Sequence, residues 1–143
     1  MTVTFFGHSD LAYDIVIEQL LKKKLEYLIN CGADSFFLGG YGNFDMLCLK
    51  VLMFLKEKYS HIKLILVIPY LNRQYKTDMY DDTVYPPIEN VPLKFAIVKR
   101  NEWMIENSDI VISYVMNNAG GAAKAVLYAR RKKKQIINLA NSD

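Results

Sequence analysis

The sequence predicts an α/β domain of the Rossmann-like, doubly wound class. Three observations predict it. Short β-rich runs alternate along the chain with longer segments whose apolar residues recur at helical spacing. One run, Ile62–Ile68, is almost wholly apolar, as expected of a strand covered on both faces. Six of the seven glycines fall in three turns that each leave a strand and open a helix, which is where such sheets bind ligands.

The elements follow in order. Thr2–Phe6 is a β-rich run ending at Gly7. From Leu11 to Asn30, Ile17, Leu20, Leu21, Leu25 and Leu28 mark one face of a helix, stopped by Gly32 as a left-handed C-terminal cap. Ser35–Leu38 is a second strand. Cys48, Val51, Leu52, Leu55 and Tyr59 share a face of a second helix, and Ile62–Ile68 is the third strand. Tyr70–Pro92, with Pro86, Pro87 and the turn-prone Asp81-Asp82, reads as one long irregular segment. Lys94–Asn107 is a third helix, Asp109–Val115 a strand, Gly120–Lys133 a fourth helix and Gln135–Leu139 the last strand. The order βαβαβ-loop-αβαβ implies a parallel five-stranded sheet with helices on both faces. Residues 1–143 are the size of a single domain.

Composition narrows the function. Hydrophobic residues are 52% of the chain and charged residues 23%, enough apolar content for a core and too much for a disordered chain. No charge-free apolar run is long enough to span a membrane, and the N-terminus lacks the pattern of a secretory signal. Cys31 and Cys48 have no CxxC spacing and are expected to be reduced core thiols of a cytoplasmic protein. Eighteen Lys and Arg against fifteen Asp and Glu do not mark a nucleic-acid binder. The run Arg130-Arg131-Lys132-Lys133-Lys134 is either a helix end stabilised by its dipole or a phosphate patch.

The chemistry is expected at the glycine turns: Gly7-His8-Ser9-Asp10, Gly39-Gly40-Tyr41-Gly42-Asn43-Phe44-Asp45, and Asn117-Asn118-Ala119-Gly120-Gly121. Glycine lets the backbone approach a ligand, and each following helix offers free N–H groups to an anion. A phosphate-bearing small molecule suits this pattern. The dinucleotide and Walker fingerprints are both missing, and no cofactor or metal is indicated. Asp45 is either a carboxylate stabilised at a helix start or a ribose acceptor or base; Asp10 is a reserve. His8 is a phosphate contact or a turn hydrogen bond, whereas His61, on the opposite edge, is structural. Asn43 caps the second helix or meets the ligand. Arg100 reads from the residues as a solvated or ion-paired helix residue. Asn117 and Asn118 suit a base or ribose as well as a turn. The tyrosines of the long segment suit stacking on a purine or a subunit interface. Tyr75, Tyr80, Tyr85, Trp103 and Met104 are expected at the surface, which points to a homo-oligomer.

These turns resemble those of the SLOG superfamily, Rossmann-like domains that include the Lonely-Guy phosphoribohydrolases, DNA-processing protein A and sensors of nucleotide-derived signals. The likeness runs from Val3 to Leu139 and is greatest to a short bacterial and phage branch with G-H-R, G-G-x-x-G-x-D and late Gly-Gly turns. Ser9 stands where that branch has arginine, the third glycine of the second turn comes one position early, and Ala122 replaces a common threonine. The P-G-G-x-G-T-x-x-E signature of the phosphoribohydrolases is missing: no proline precedes Gly120, and Ala125 and Val126 offer no carboxylate.

The resemblance implies sensing or sequestration of a nucleotide-derived small molecule, such as an ADP-ribose derivative or a cyclic nucleotide signal, and makes Arg100 a candidate ligand contact, since that branch carries a similar basic helix beside its pocket. A phage protein that sequesters such a signal is one version by analogy. The alternatives are a nucleoside 5′-monophosphate N-glycosidase using Asp45 and a DNA-binding accessory domain using the basic run.

Overall fold

The structure is a computed structural model and describes residues 1–141. The last two residues of the expected 1–143 domain lie outside the described residues. Six strands form one parallel sheet: β1 (Thr2–Gly7), β2 (Ser35–Leu38), β3 (Lys63–Val67), β4 (Asp82–Val84), β5 (Ile110–Tyr114) and β6 (Gln135–Asn138). Four helices connect them: α1 (Ile15–Asn30), α2 (Asn43–Lys58), α3 (Ala96–Glu106) and α4 (Gly121–Arg131).

The strand order is β4-β3-β2-β1-β5-β6. The chain builds outward from β1 to β4, then crosses back to lay β5 on the other side of β1. The switch point thus falls between β1 and β5, where Val3 pairs with Ile110 and Gly7 with Tyr114. Ligands of open α/β sheets bind above such a point.

Strand periodicity divides the core into two layers. Val3 and Phe5, Phe36 and Leu38, and Ile110 and Ile112 face α1 and α2, where they meet Leu21, Leu25, Leu52 and Leu55. Phe6, Phe37 and Val111 face the opposite way and pack on Met104, Ile105, Ala125 and Ala129 of α3 and α4. Two apolar faces on each central strand explain why the runs are short and nearly continuous.

The structure corrects several expectations. The sheet has six strands rather than five, the extra one lying inside the segment expected to be irregular. β4 has only three residues, and tertiary bonds define it. Lys56 Nζ meets Asp81 at 2.6 Å and donates to the Ile62 carbonyl at 2.7 Å. Asp81 in turn accepts from the Leu64 amide at 2.8 Å. An edge strand held this way needs no apolar alternation.

The first helix starts at Ile15 rather than Leu11, because Asp14 takes an extended cap conformation and accepts from the Val16 amide at 2.8 Å. At its other end Gly32 adopts φ +109, the left-handed conformation that favours glycine. Cys48 is buried, but Cys31 is exposed, since the helix ends by turning that residue outward. Met104 is 1% exposed and belongs to the second core layer. Trp103 is half-buried and packs on Phe37 at 5.4 Å between centroids. The helical period places them inward, so neither supplies the expected oligomer surface.

β1 must end in glycine for a packing reason. A Cβ at Gly7 would overlap the ring and Cβ of Phe44, itself 1% exposed. Gly7→Ala is therefore expected to lower stability by about 1–3 kcal/mol, the usual cost of overpacking a filled core. Urea unfolding of the two proteins checks this; an unchanged midpoint would refute the packing argument.

Candidate functional site

The three glycine turns meet around a cavity of about 460 Å³ at the switch point. Gly7, His8, Ser9 and Asp10 line it from β1, and Gly39, Tyr41, Phe44 and Asp45 from the β2–α2 turn. Arg100 and Asn101 of α3 and Gly120 and Gly121 at the start of α4 close it. Gly40, Gly42, Asn43, Asn117 and Asn118 are not among the lining residues.

Asp45 is the organising group of the second turn. It is 8% exposed and accepts from the Gly39 amide at 3.0 Å and the Gly40 amide at 2.7 Å, one on each carboxylate oxygen. Burial pushes its pKa up, while the two amides and the Arg100 charge oppose that rise. Gly40 at φ +76 and Gly42 at φ +93 let the chain turn tightly enough to bring those amides onto one carboxylate.

Arg100 is the residue that helical periodicity alone left on a solvated face. It is 6% exposed. Its Nη1 donates to the Val67 carbonyl at 2.8 Å and the Gly39 carbonyl at 3.2 Å. These are carbonyls at the ends of β3 and β2. Its Nε donates to Asn101 Oδ1 at 2.9 Å. Nη2 makes no hydrogen bond among the described residues, although a guanidinium carries five N–H donors. Burial lowers the Arg100 pKa, and the charge of Asp45 chiefly opposes the fall. The same glycine thus donates to Asp45 and accepts from Arg100, so one peptide segment ties the two charges together.

The first turn is braced to the second and the third. Asn43 donates its backbone N–H to the Ser9 carbonyl at 2.8 Å and its side-chain amide to the Leu11 carbonyl at 3.0 Å. It does not cap α2, whose cap is Gly42 without a side-chain bond; the side chain is spent on the neighbouring turn. His8 Nε2 accepts from the Met116 amide at 3.1 Å and so holds the loop that leads to α4. Asn117 Oδ1 accepts from the Ala119 amide at 3.0 Å, a turn bond. Asn118 is exposed.

The start of α4 is open. Its cap, Gly120, has no side chain to satisfy the first amides, and none of the amides of Gly121, Ala122 and Ala123 has an acceptor among the described residues. A Cβ at Gly121 would meet nothing within 4 Å. By contrast α1 is capped by Asp14. Free amides and the positive end of the helix dipole favour an anion here.

Sequence reasoning missed Asn101 and Ile97, which line the cavity as neighbours of Arg100 on α3. The i, i+3, i+4 spacing of Ile97, Arg100 and Asn101 was legible, but nothing in it says which face meets the sheet edge. The long segment also lies beside this site, where burial, and then the charge of Asp45, push the Tyr80 hydroxyl up to about 12. Among the described residues no group of three His, Cys, Asp or Glu is placed to hold a metal ion, and no helix is long and apolar enough to cross a membrane.

Comparison with known proteins places this geometry. The YpsA family model, described as the YspA SLOG family, matches residues 1–140. No curated protein matches the chain. Among solved structures, DNA processing protein A from Helicobacter pylori superposes with a TM-score of 0.65 at 18% identity, over 95% of this chain and 63% of that one. That work describes a single-stranded DNA binding mode. The chain therefore spans less than two thirds of that protein. The molybdenum cofactor carrier protein of Chlamydomonas reinhardtii superposes with a TM-score of 0.63 at 15% identity, over 94% of this chain and 73% of that one. At such identities the likeness is one of fold.

Removing Arg100 should expose its coupling to Asp45. In Arg100→Met the buried carboxylate loses its counter-charge, and stability at neutral pH is expected to fall by about 3 kcal/mol. Asp45 should also titrate somewhat higher than in the parent, because one of the groups opposing its rise is gone while the Gly39 and Gly40 amides remain. Its folded value lies above the ordinary one, so its favourable contribution is present below the ordinary carboxylate range and is lost as pH rises through the folded value. The deficit of the variant should accordingly shrink in acid. Carboxyl NMR titration and unfolding at two pH values read both effects; an Asp45 titration identical to the parent's would refute the coupling.

Proposed function

The chain belongs to the SLOG family, and from that premise we propose that it binds a nucleotide-derived anion at the switch point, as a sensor or sequestering protein. The observation that carries this reading is the pairing of two anion-seeking features on one cavity. The start of α4 presents unsatisfied amides beside Gly121. The buried Arg100 lines the same cavity with Nη2 unbonded among the described residues. A phosphate near both would accept from backbone and guanidinium together. Tyr41, 81% exposed at the cavity rim, adds aromatic surface for a base or ribose face.

Hydrolysis of an N-glycosidic bond would need a carboxylate free to face the ribose. Asp45 has both oxygens committed to Gly39 and Gly40, so its chemistry here is positional. Asp10 lines the cavity but makes no ion pair among the described residues. Binding without turnover is the reading these residues support.

DNA binding is the second reading. Residues 94–134 hold nine Lys and Arg against three Asp and Glu, and the similar Helicobacter protein is described as binding single-stranded DNA. Two of those acids are engaged by the basic end of α4 or by α3: Lys132 lies 3.8 Å from Glu106 and Lys99 3.2 Å from Glu102.

One pair of variants ranks the readings. Gly121→Asp meets no steric obstacle and puts a like charge where the anion would sit. Calorimetry with ADP-ribose is expected to show at least about a 30-fold loss of affinity, or about 2 kcal/mol. The double variant Arg130→Ala, Lys133→Ala should bind ADP-ribose like the parent. If DNA is the partner, the double variant suffers instead and affinity falls steeply with salt. A Gly121→Asp protein that binds ADP-ribose unchanged would sink the phosphate site.

A further inference from the structure

A second cavity of about 420 Å³ lies between α3 and α4. It shares Ile97, Asn101 and Gly121 with the first, so the two adjoin at the start of α4. Its walls are Val98 on one side and Ala125 and Tyr128 on the other. Lys124 and Arg131 stand at the same groove. Lys124 has no ion pair among the described residues, and the Arg131 guanidinium lies 5.7 Å from the Tyr128 ring centroid.

Two cavities of nearly equal volume, each within the range of small-molecule pockets, therefore flank one open helix start. Seven residues separate Gly121 from Tyr128, or about 10 Å along α4. We propose that the α3–α4 groove is a second subsite and that the natural ligand is of the dinucleotide class. The diphosphate rests on the amides of Gly121 to Ala123, one nucleoside occupies the switch-point cavity, and the other lies in the groove. This rests on the anion reading above.

The chemistry of the groove fits that second half. Val98, Ala125 and the Tyr128 ring offer apolar walls to a flat heterocycle. Asn101 accepts from Arg100 through Oδ1, which leaves its amide N–H groups for a ribose or base edge. Lys124, one turn into the helix, complements the second phosphate charge. A mononucleotide would fill one cavity and leave the other to water. A ligand whose charge is central and whose two ends are flat would fill both.

The test compares AMP with diadenosine diphosphate by calorimetry on the parent and on two groove variants, Val98→Glu and Leu127→Glu. Val98 and Leu127 both line the groove, are about half exposed, at 45% and 51%, and do not line the switch-point cavity. The parent is expected to bind diadenosine diphosphate at least tenfold more tightly than AMP. Both variants should shrink that margin to below threefold while holding AMP as the parent does. Equal affinity for the two probes, or a margin that survives both substitutions, would overturn the second subsite and leave the anion site standing. Failure of both probes to bind the parent would overturn the anion reading and this proposal with it. Light scattering on the same samples covers a further occupant: a dimer that Val98→Glu dissociates, with no change in the margin, would assign the groove to a second copy of the chain and refute the subsite.

Discussion

One buried carboxylate holds the ligand edge of this sheet in shape. Asp45 accepts from consecutive amides of the Gly39-Gly40 turn, and the Gly39 carbonyl accepts from Arg100. Each charge is costly where it lies, because burial penalises both ionised forms. They persist because backbone groups satisfy them. The arrangement anchors α3, which carries the arginine, to the ends of β2 and β3 through Val67 and Gly39. It also sets the entry of α2, since Asp45 lies in that helix's first turn.

The other turns lean on this one. Asn43 ties the β2–α2 turn to the end of β1, and His8 ties the end of β1 to the loop before α4. A chain of polar contacts thus runs across the switch point from β3 to α4. Amides without an acceptor among the described residues remain at the start of α4 and at Phe44 and Asp45 of α2. Those at α4 lie on the same cavity as the unbonded Nη2 of Arg100, and this pairing is what points the reading toward an anion. This edge of the sheet is thus built from backbone groups and one buried cation, with a carboxylate used as scaffold.

Glycine serves two different purposes here. At Gly40 and Gly42 it supplies positive φ for a tight turn. At Gly7 the φ is ordinary, and the constraint is the room that Phe44 occupies. Gly121 differs from both: no neighbour needs its Cβ to be absent, so the open space beside it is available to something outside the chain.

The sequence by itself determined the alternation of strands and helices, the two-faced core and the edge at which the glycine turns gather, because periodicity and turn chemistry are local properties. Ser35–Leu38 and Gly32 were legible from four residues and one residue, respectively. β4 was not, because three residues without apolar alternation become a strand only when Lys56 and Asp81 pin them beside β3. The burial of Met104 and Arg100 was equally hidden, since spacing defines a helix face but not what that face meets. The partners of Asp45, Asn43 and His8 within the fold are visible only in the tertiary structure. Each is a polar side chain whose partner lies on another turn or beyond its own glycines, and the competition between ligand and backbone for such a group is settled by distance, which a sequence does not contain.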